Sequence, residues 1–431
     1  MKTSRQTKSH HWLASRLPFY YGWPIILVAI ITQAVTGVGQ TFGISVFNPS
    51  LLDSLGISLS ILTGTYMVGT LAASLPQAYI GSLMDRFGIR STTIVIGFLL
   101  GGACLFFSRV NSPVTLLIGF FLLRLLGQGG LSLLAGNMPA MWFKEKLGTV
   151  TGIISSGFSV SMAVIPPFFL TLVNRLGWRD AYVALGLLVW LILIPMILFV
   201  YVNRPDAVGQ DMDGGASSDT NDESLSEARG YSFSPRQARS TSAYWIALVN
   251  NALWAMIITA VFFNLLSIFD HQGISPLVAA ATYTTYAGAS LVTQLALGPL
   301  ANRGPLQILL MACMGSLAAG VGVLSFSTSA WIAHTYAVVT GISTGLISLV
   351  GGTLLPRYFG REHLGKLRGA VITAQVAGSS LGPFITGLIF DLTGSFQTSL
   401  WIFVGILIPS AVVSLWAKKP ERPEVENGLK S

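Results

Sequence analysis

Apolar runs of about 20 residues recur along this chain, and each is long enough to cross a bilayer as an α-helix. Charge and turn residues separate twelve of them, with approximate limits 23–47, 59–83, 91–108, 113–139, 149–173, 181–202, 243–269, 276–300, 306–327, 331–355, 367–390 and 399–417. Charged residues make up 10% of the 431 and hydrophobic residues 52%, the reverse of what a soluble domain uses to cover its surface. The pattern predicts an all-α membrane protein solvated by lipid.

The net charge of +8 would suit nucleic acid if the basic residues were gathered, but they lie in short loops and at the two ends, so no nucleic-acid partner is expected. Lys2, Arg5, Lys8 and Arg16 precede a first run that continues past Gln33 to Val46, too long for a signal-peptide core, and it is read as a retained membrane helix. An even number of runs puts both termini on one side. Arg86, Arg90, Lys144, Lys146, Arg204, Arg303, Arg357 and Arg368 fall on that side with the basic tails, against only Arg109, Arg175 and Arg179 opposite. The positive-inside rule then makes both termini cytoplasmic, in the inner or plasma membrane of the cell. Cys104 and Cys313 each lie inside an apolar run, which leaves no disulfide framework; no metal and no cofactor are expected.

Between the sixth and seventh runs lies a polar stretch containing Asp211-Met212-Asp213-Gly214-Gly215-Ala216-Ser217-Ser218-Asp219. It cannot bury apolar area and is expected to be a disordered linker. The expected organisation is a tail at 1–22, a six-helix unit at 23–202, the linker at 203–242, a second six-helix unit at 243–417 and a tail at 418–431. A shift that carries Gly81 onto Gly298 also carries Asp85 onto Asn302, Arg86 onto Arg303, Leu147-Gly148 onto Leu364-Gly365, Gly152 onto Gly369 and Gly177 onto Gly394. Each pair holds the same place in its half, so the two halves read as a parallel duplication.

Gly81-Ser-Leu-Met-Asp85-Arg86-Phe-Gly88-Ile-Arg90, its degraded copy Gly298-Pro-Leu-Ala-Asn302-Arg303, and Arg124-Leu-Leu-Gly-Gln128-Gly-Gly in the fourth run resemble the motifs of the major facilitator superfamily. Tyr20-Tyr-Gly-Trp23, the stretch Trp142 to Gly152, Leu176 to Tyr182 and Tyr358 to Gly365 resemble its monocarboxylate transporter and oxalate:formate antiporter branch. The resemblance implies two pseudo-symmetric six-helix bundles around a midplane cavity. The first, fourth, seventh and tenth helices would be innermost, and the second, fifth, eighth and eleventh would join the halves, which alternate access by rocking. It also implies that Asp85 latches onto the start of the eleventh helix near Gly365 to Gly369, where a helix dipole favours a carboxylate. Arg86 and Arg90 would anchor that turn, Gly81 would allow close helix contact, and Asn302 would latch more weakly. Gly81, Asp85, Arg86, Gly88, Arg90, Gly298, Asn302 and Arg303 are thus the expected conformational set. The carboxylate branch carries a cation in its eighth helix, and the oxalate exchanger a second in the eleventh; here the eighth run and the eleventh from Gly369 to Phe390 are uncharged.

Arg124 is the basic residue placed inside a run, at a cost of at least about 2.5–3.5 kcal/mol. Either it faces the cavity as an anion or coupling partner, with Gln128 and Ser132 on the same face, or it is bonded to backbone carbonyls of neighbouring helices. Further polar stripes at helical spacing are Gln33, Thr36 and Gln40; Asn250 and Trp254; Tyr283, Tyr286, Ser290 and Gln294; Thr340, Thr344 and Ser348; and Gln375, Ser379 and Thr386. Each lines a wet cavity or glues helices together. The expected substrate-binding set is Arg124, Gln128, Gln33, Gln40, Trp254, Tyr283, Tyr286, Gln294, Thr344, Gln375 and Ser379. No acidic residue lies mid-run, so coupling falls to His334 or to the outer pair Asp270 and His271. No Walker lysine accompanies the glycine-rich pieces, and no motif points to an enzyme.

Together these observations predict a secondary transporter of a small organic solute, most simply a monocarboxylate or related organic anion, with a coupled proton or an exchanged anion. Efflux of a neutral or amphipathic compound is the alternative. A transporter-like solute sensor is the second, though the tails and linker are short for an output domain. The sequence leaves the oligomeric state open.

Overall fold

The computed structural model describes residues 20–143, 146–214, 233–360 and 364–421, without the side chains of 78, 147–149, 151, 301–303 and 364–366. Every regular element among these residues is a helix: α1 (Gly22–Val35), α2 (Thr41–Ile44), α3 (Asn48–Leu55), α4 (Leu59–Ser74), α5 (Gln77–Phe107), α6 (Pro113–Leu123), α7 (Ser132–Asn137), α8 (Leu147–Phe199), α9 (Pro235–Arg239), α10 (Ser242–His271), α11 (Pro276–Arg303), α12 (Leu306–Ser325), α13 (Ala330–Phe359), α14 (Leu364–Thr393) and α15 (Phe396–Val413). A π-helical stretch, Arg124–Leu131, joins α6 to α7.

Hydroxyl caps begin several of these helices. Ser58 accepts the amide of Ile61 at the start of α4, and Ser112 and Thr115 form a capping box ahead of α6 with Pro113 at its first position. Each supplies an acceptor to a backbone donor that has no partner within the first helical turn. Nine helices among the described residues are long and apolar enough to cross a membrane, and one of these, Gly152–Phe199, has 48 residues. Straight, it would be about 72 Å long, twice a bilayer. It is broken at Gly177 (φ 77°, ψ 161°), as α5 is broken at Gly88 (φ 80°, ψ 159°). That backbone region belongs essentially to glycine, and both breaks fall where the sequence puts a turn between consecutive runs. Twelve crossings is the count of apolar runs; length and apolarity of the described helices establish nine.

Two expectations need correction. The first run is not one helix. After α1 and the tight turn Thr36–Gly39, Gln40 is extended (φ −82°, ψ 150°), and the chain resumes as α2 and α3. The cause is tertiary: a Cβ on Gly39 would lie 2.1 Å from the carbonyl oxygen of Leu123, so the backbone here is drawn directly onto the fourth run. The linker, in turn, is ordered at both ends. The Gln210 side chain accepts the amide of Tyr21 at 2.9 Å, Asp213 accepts that of Lys146 at 3.2 Å, and Phe233 donates its amide to the Phe359 carbonyl. Apolar and hydrogen-bonding residues flank the polar centre and dock where α1, α8 and α13 end; residues 215–232 lie outside the described ones. Nearby, the Tyr20 hydroxyl donates to the Trp142 carbonyl, and burial pushes this phenol up to about 12.

Glycine sets the packing in each half. Gly37 admits Ile165, while Gly378 and Gly382 lie against the Ala252 and Met256 carbonyls. Across the halves, Thr63 of α4 meets Gly387 of α14, and Thr284 of α11 donates to the Ala163 carbonyl of α8 at 2.7 Å. The resemblance implies that the second, fifth, eighth and eleventh runs join the halves; here the second meets the eleventh and the fifth meets the eighth. Leu75, Leu191, Leu295, Leu392 and Trp331 face outward, as suits a lipid-facing surface.

Candidate functional site

The halves meet on the side away from the termini. Tyr21 donates its hydroxyl to the Val200 carbonyl, which gathers the start of α1 and the end of α8 at the terminus side. At the other side, four hydrogen bonds cross between halves among the described residues. Asn48 donates to the Phe263 carbonyl, the Ser45 and Tyr283 hydroxyls pair at 2.9 Å, Thr284 reaches Ala163, and Ser60 N–H reaches Asp391 Oδ2 at 2.9 Å.

On the terminus side of this closure lies a cavity of about 500 Å³ between the halves. Gln33 of α1 and Ser155, Phe158, Ser159 and Met162 of α8 form the first-half wall; Tyr286, Ser290 and Gln294 of α11 and Thr344 and Ser348 of α13 form the other. Tyr286 and Thr344 hydrogen-bond through their hydroxyls, and Gln294 donates to Ser290 at 3.2 Å. The wall carries hydroxyls, amides and a thioether and no ionised side chain among the described residues. Such a surface orients a small solute by hydrogen bonds and apolar contact.

Of the expected binding residues, Gln33, Tyr286, Gln294 and Thr344 line this cavity; the others are placed elsewhere. Tyr283 is 1% exposed, donates to the Phe262 carbonyl at 3.0 Å and pairs with Ser45, so it belongs to the closure. Trp254 donates its indole N–H to Ser343 at 3.1 Å, and Asn250 is bonded to Ser410 and Ser414; both join helices within the second half. Gln40 donates to Thr36 and Ser132, Ser379 bonds back to its own helix at Val376, and Gln375 is half-buried. Gln128 is half-buried in the π-helical stretch. There the i→i+5 winding removes the 3.6-residue face on which Gln128 and Ser132 were aligned with Arg124. Ser155, Ser159 and Met162 are cavity residues that the stripe reading missed. Their spacing of four and three carried the signal.

Arg124 is 3% exposed and does not line the cavity. Its Nη1 donates to the Gly39 carbonyl at 3.2 Å and to Thr41 Oγ1 at 3.4 Å, and the guanidinium lies 5.1 Å from the centre of the Tyr66 ring. The Nε donor has no partner among the described residues. No carboxylate pairs with Arg124 among the described residues.

His334 Nδ1 and Thr285 Oγ1 are 2.8 Å apart. Asp270 and His271 line a separate outer pocket of about 450 Å³ with Asp53 and Asp391, and the His271 ring meets Phe390 and Phe396 edge-on. In the stretch Gly81 to Arg90, Asp85 and Arg86 are exposed, and Arg86 sits 5.2 Å from the Phe87 ring. The Arg90 amide donates to Asn203 Oδ1 at 3.0 Å, and its guanidinium donates to the Leu198 carbonyl. Asp85 forms no ion pair among the described residues. Among the described residues a Cβ on Gly81 would meet Leu133 at 3.9 Å and one on Gly298 nothing, so the close helix contact expected of Gly81 is not made in this conformation. Gly88 instead makes the turn. The side chains of Asn302 and Arg303 lie outside the described ones.

Residues 26–333 and 251–430 match the Major Facilitator Superfamily. A mouse protein described as monocarboxylate transporter 11 is 27% identical over 91% of this chain and 86% of its own length. The nitrite extrusion protein of Bacillus subtilis (strain 168) is 23% identical over 88% of this chain and 92% of its own. Among solved structures, a bacterial homologue of the human lysosomal transporter Spinster superposes with a TM-score of 0.69 at 14% identity, covering 92% of this chain and 97% of that one.

Proposed function

The chain belongs to the Major Facilitator Superfamily, and from that membership we propose that it is a secondary active transporter of a monocarboxylate or related small organic anion. It is a multi-pass membrane transporter and not an enzyme. In this reading the units 23–202 and 243–417 rock about the cavity, with both termini cytoplasmic in the cell membrane. Asp85 engages the start of α14 when the terminus side closes, with Gly81, Arg86, Gly88 and Arg90 and the second copy at Gly298, Asn302 and Arg303 shaping that contact. His334, or Asp270 with His271, carries a coupled proton.

Arg124 carries the anion reading. A guanidinium that is 3% exposed inside the span Pro113–Met141, without a carboxylate partner among the described residues, leaves a net positive charge in the first half, outside the uncharged lining of the cavity. A negative solute would compensate it. The relatives named for monocarboxylate transport and nitrite extrusion lean the same way. One observation favours the second reading, a neutral or amphipathic solute: the cavity wall itself is uncharged and partly aromatic.

The test is a flux screen in proteoliposomes across carboxylates and neutral amphiphiles, with and without a pH gradient. Movement of a carboxylate, or competition by one, supports the first reading. Movement of a neutral compound with no carboxylate competing replaces it with the second.

A further inference from the structure

We propose that the break at Gln40 is the hinge of the closure on the side away from the termini, and that Arg124 is the positioning residue that staples it. The proposal takes alternating access, as read above, for its premise. It assigns to Arg124 a task distinct from contact with solute.

The break divides the first run into two bodies. α1 lies on the terminus side and carries Gln33 into the cavity. The chain after Gln40 carries Ser45 and Asn48, the first-run residues that bond across to the second half. Motion at Gln40 therefore moves these two contacts of the closure without moving the cavity wall on α1.

The hinge is held from outside its own chain. In a continuous helix the Gly39 carbonyl would accept the amide of Gly43, but that amide bonds to the Gln40 carbonyl instead. The freed Gly39 oxygen accepts Arg124 Nη1, and the same nitrogen donates to Thr41 Oγ1, so one guanidinium clasps the residues on either side of the hinge. Thr41 also pairs with the Tyr66 hydroxyl at 2.8 Å, and the Tyr66 ring lies under the guanidinium. A π-helical stretch begins at Arg124 itself, a form of winding frequent at functional sites.

The closure is poised rather than locked. Asn48 is 1% exposed, and while its Nδ2 is bonded, its Oδ1 has no partner among the described residues. Opening would hydrate that oxygen, which works against the bond that closing makes. The staple then decides which side prevails.

The experiment uses the full chain in proteoliposomes with two single-cysteine reporters; the native Cys104 and Cys313 are buried. Thr63→Cys reports on the closure, where Thr63 is 0% exposed against Gly387, and Ser155→Cys reports on the cavity. Arg124→Lys keeps the charge but not the fork, and Thr41→Val removes one bonded hydroxyl at similar volume. For Arg124→Lys, labelling of Thr63→Cys from the far side should rise on the order of tenfold while labelling of Ser155→Cys from the terminus side falls. Thr41→Val should shift both in the same directions by less. A merely structural arginine would, when replaced, raise both labellings together, and that result overturns the proposal. Asn48→Ala, which cuts the closure directly, separates the two ideas. If it moves the reporters reciprocally and the staple variants do not, the hinge is wrong and alternating access stands. If no variant moves them, alternating access fails and takes the hinge with it.

Discussion

Asp391 Oδ2 accepts the backbone N–H of Ser60 at 2.9 Å, and the two residues belong to opposite halves of the chain. Ser60 lies in the first turn of α4, so the carboxylate supplies an acceptor to a donor without a partner inside its helix and faces the positive end of the helix dipole. One turn deeper, Thr63 and Gly387 bring the two helices into contact and thereby set the register of this pair.

Replacing Asp391 by Ala should loosen the closure. The contact lies at the exposed rim and is worth about 0.3–1 kcal/mol, which favours opening about two- to fivefold. Labelling of Thr63→Cys from the side away from the termini measures it. Asp53→Asn, in the same outer pocket but without a bond across the halves among the described residues, should leave the labelling unchanged.

Gly382→Ala should be poorly tolerated. The new methyl would lie 1.9 Å from the Met256 carbonyl oxygen, and α10 and α14 would have to separate. Overpacking of this kind costs about 1–3 kcal/mol. Thermal unfolding in detergent should show a lowered midpoint, whereas Gly102→Ala, with open space at its Cβ, should stay the same or gain about 0.5–1 kcal/mol of helix stability.

Tyr286→Phe and Tyr283→Phe should differ in kind. Loss of the Tyr286 hydroxyl removes a polar group from the cavity and its bond to Thr344, so KM should rise several-fold with little change in protein abundance. Loss of the Tyr283 hydroxyl breaks its bond to Ser45, so opening should change at nearly constant KM. Solute titrations of flux distinguish the two, and equal effects on KM would remove the division of roles.

Asp85→Asn should move the population further toward the conformation described here, with the cavity open on the terminus side. Asp85 is exposed in this conformation. Its carboxylate would therefore act only in the opposite one, and increased labelling of Ser155→Cys from the terminus side is the expected readout. An unchanged labelling pattern on both sides would refute the latch.

Some of the site was legible beforehand and some was not. The stripe on the eighth run, Tyr283, Tyr286, Ser290 and Gln294, was visible as a polar face, but Tyr283 turns to Ser45 across the halves while Tyr286 and Gln294 turn to the cavity. A period of 3.6 gathers residues on one side of a helix without saying which neighbour covers each level of it. Asn250 and Trp254 met hydroxyls of their own half for the same reason. Arg124 was singled out by charge alone, yet its partners, Gly39 and Thr41, exist only because the first run breaks.

By itself the sequence determined that the chain lives in a membrane and that turns part its apolar runs in the stretches where Gly88 and Gly177 break the helices. Each of these follows from local quantities: run length, charge position and the backbone freedom of one residue type. Only the tertiary structure decided which polar faces enclose the cavity, that the first helix parts at Gln40 and that Arg124 spans the parting. Those depend on how closely two backbones approach, as Gly39 does to Leu123, and no spacing along one strand of chain encodes that distance.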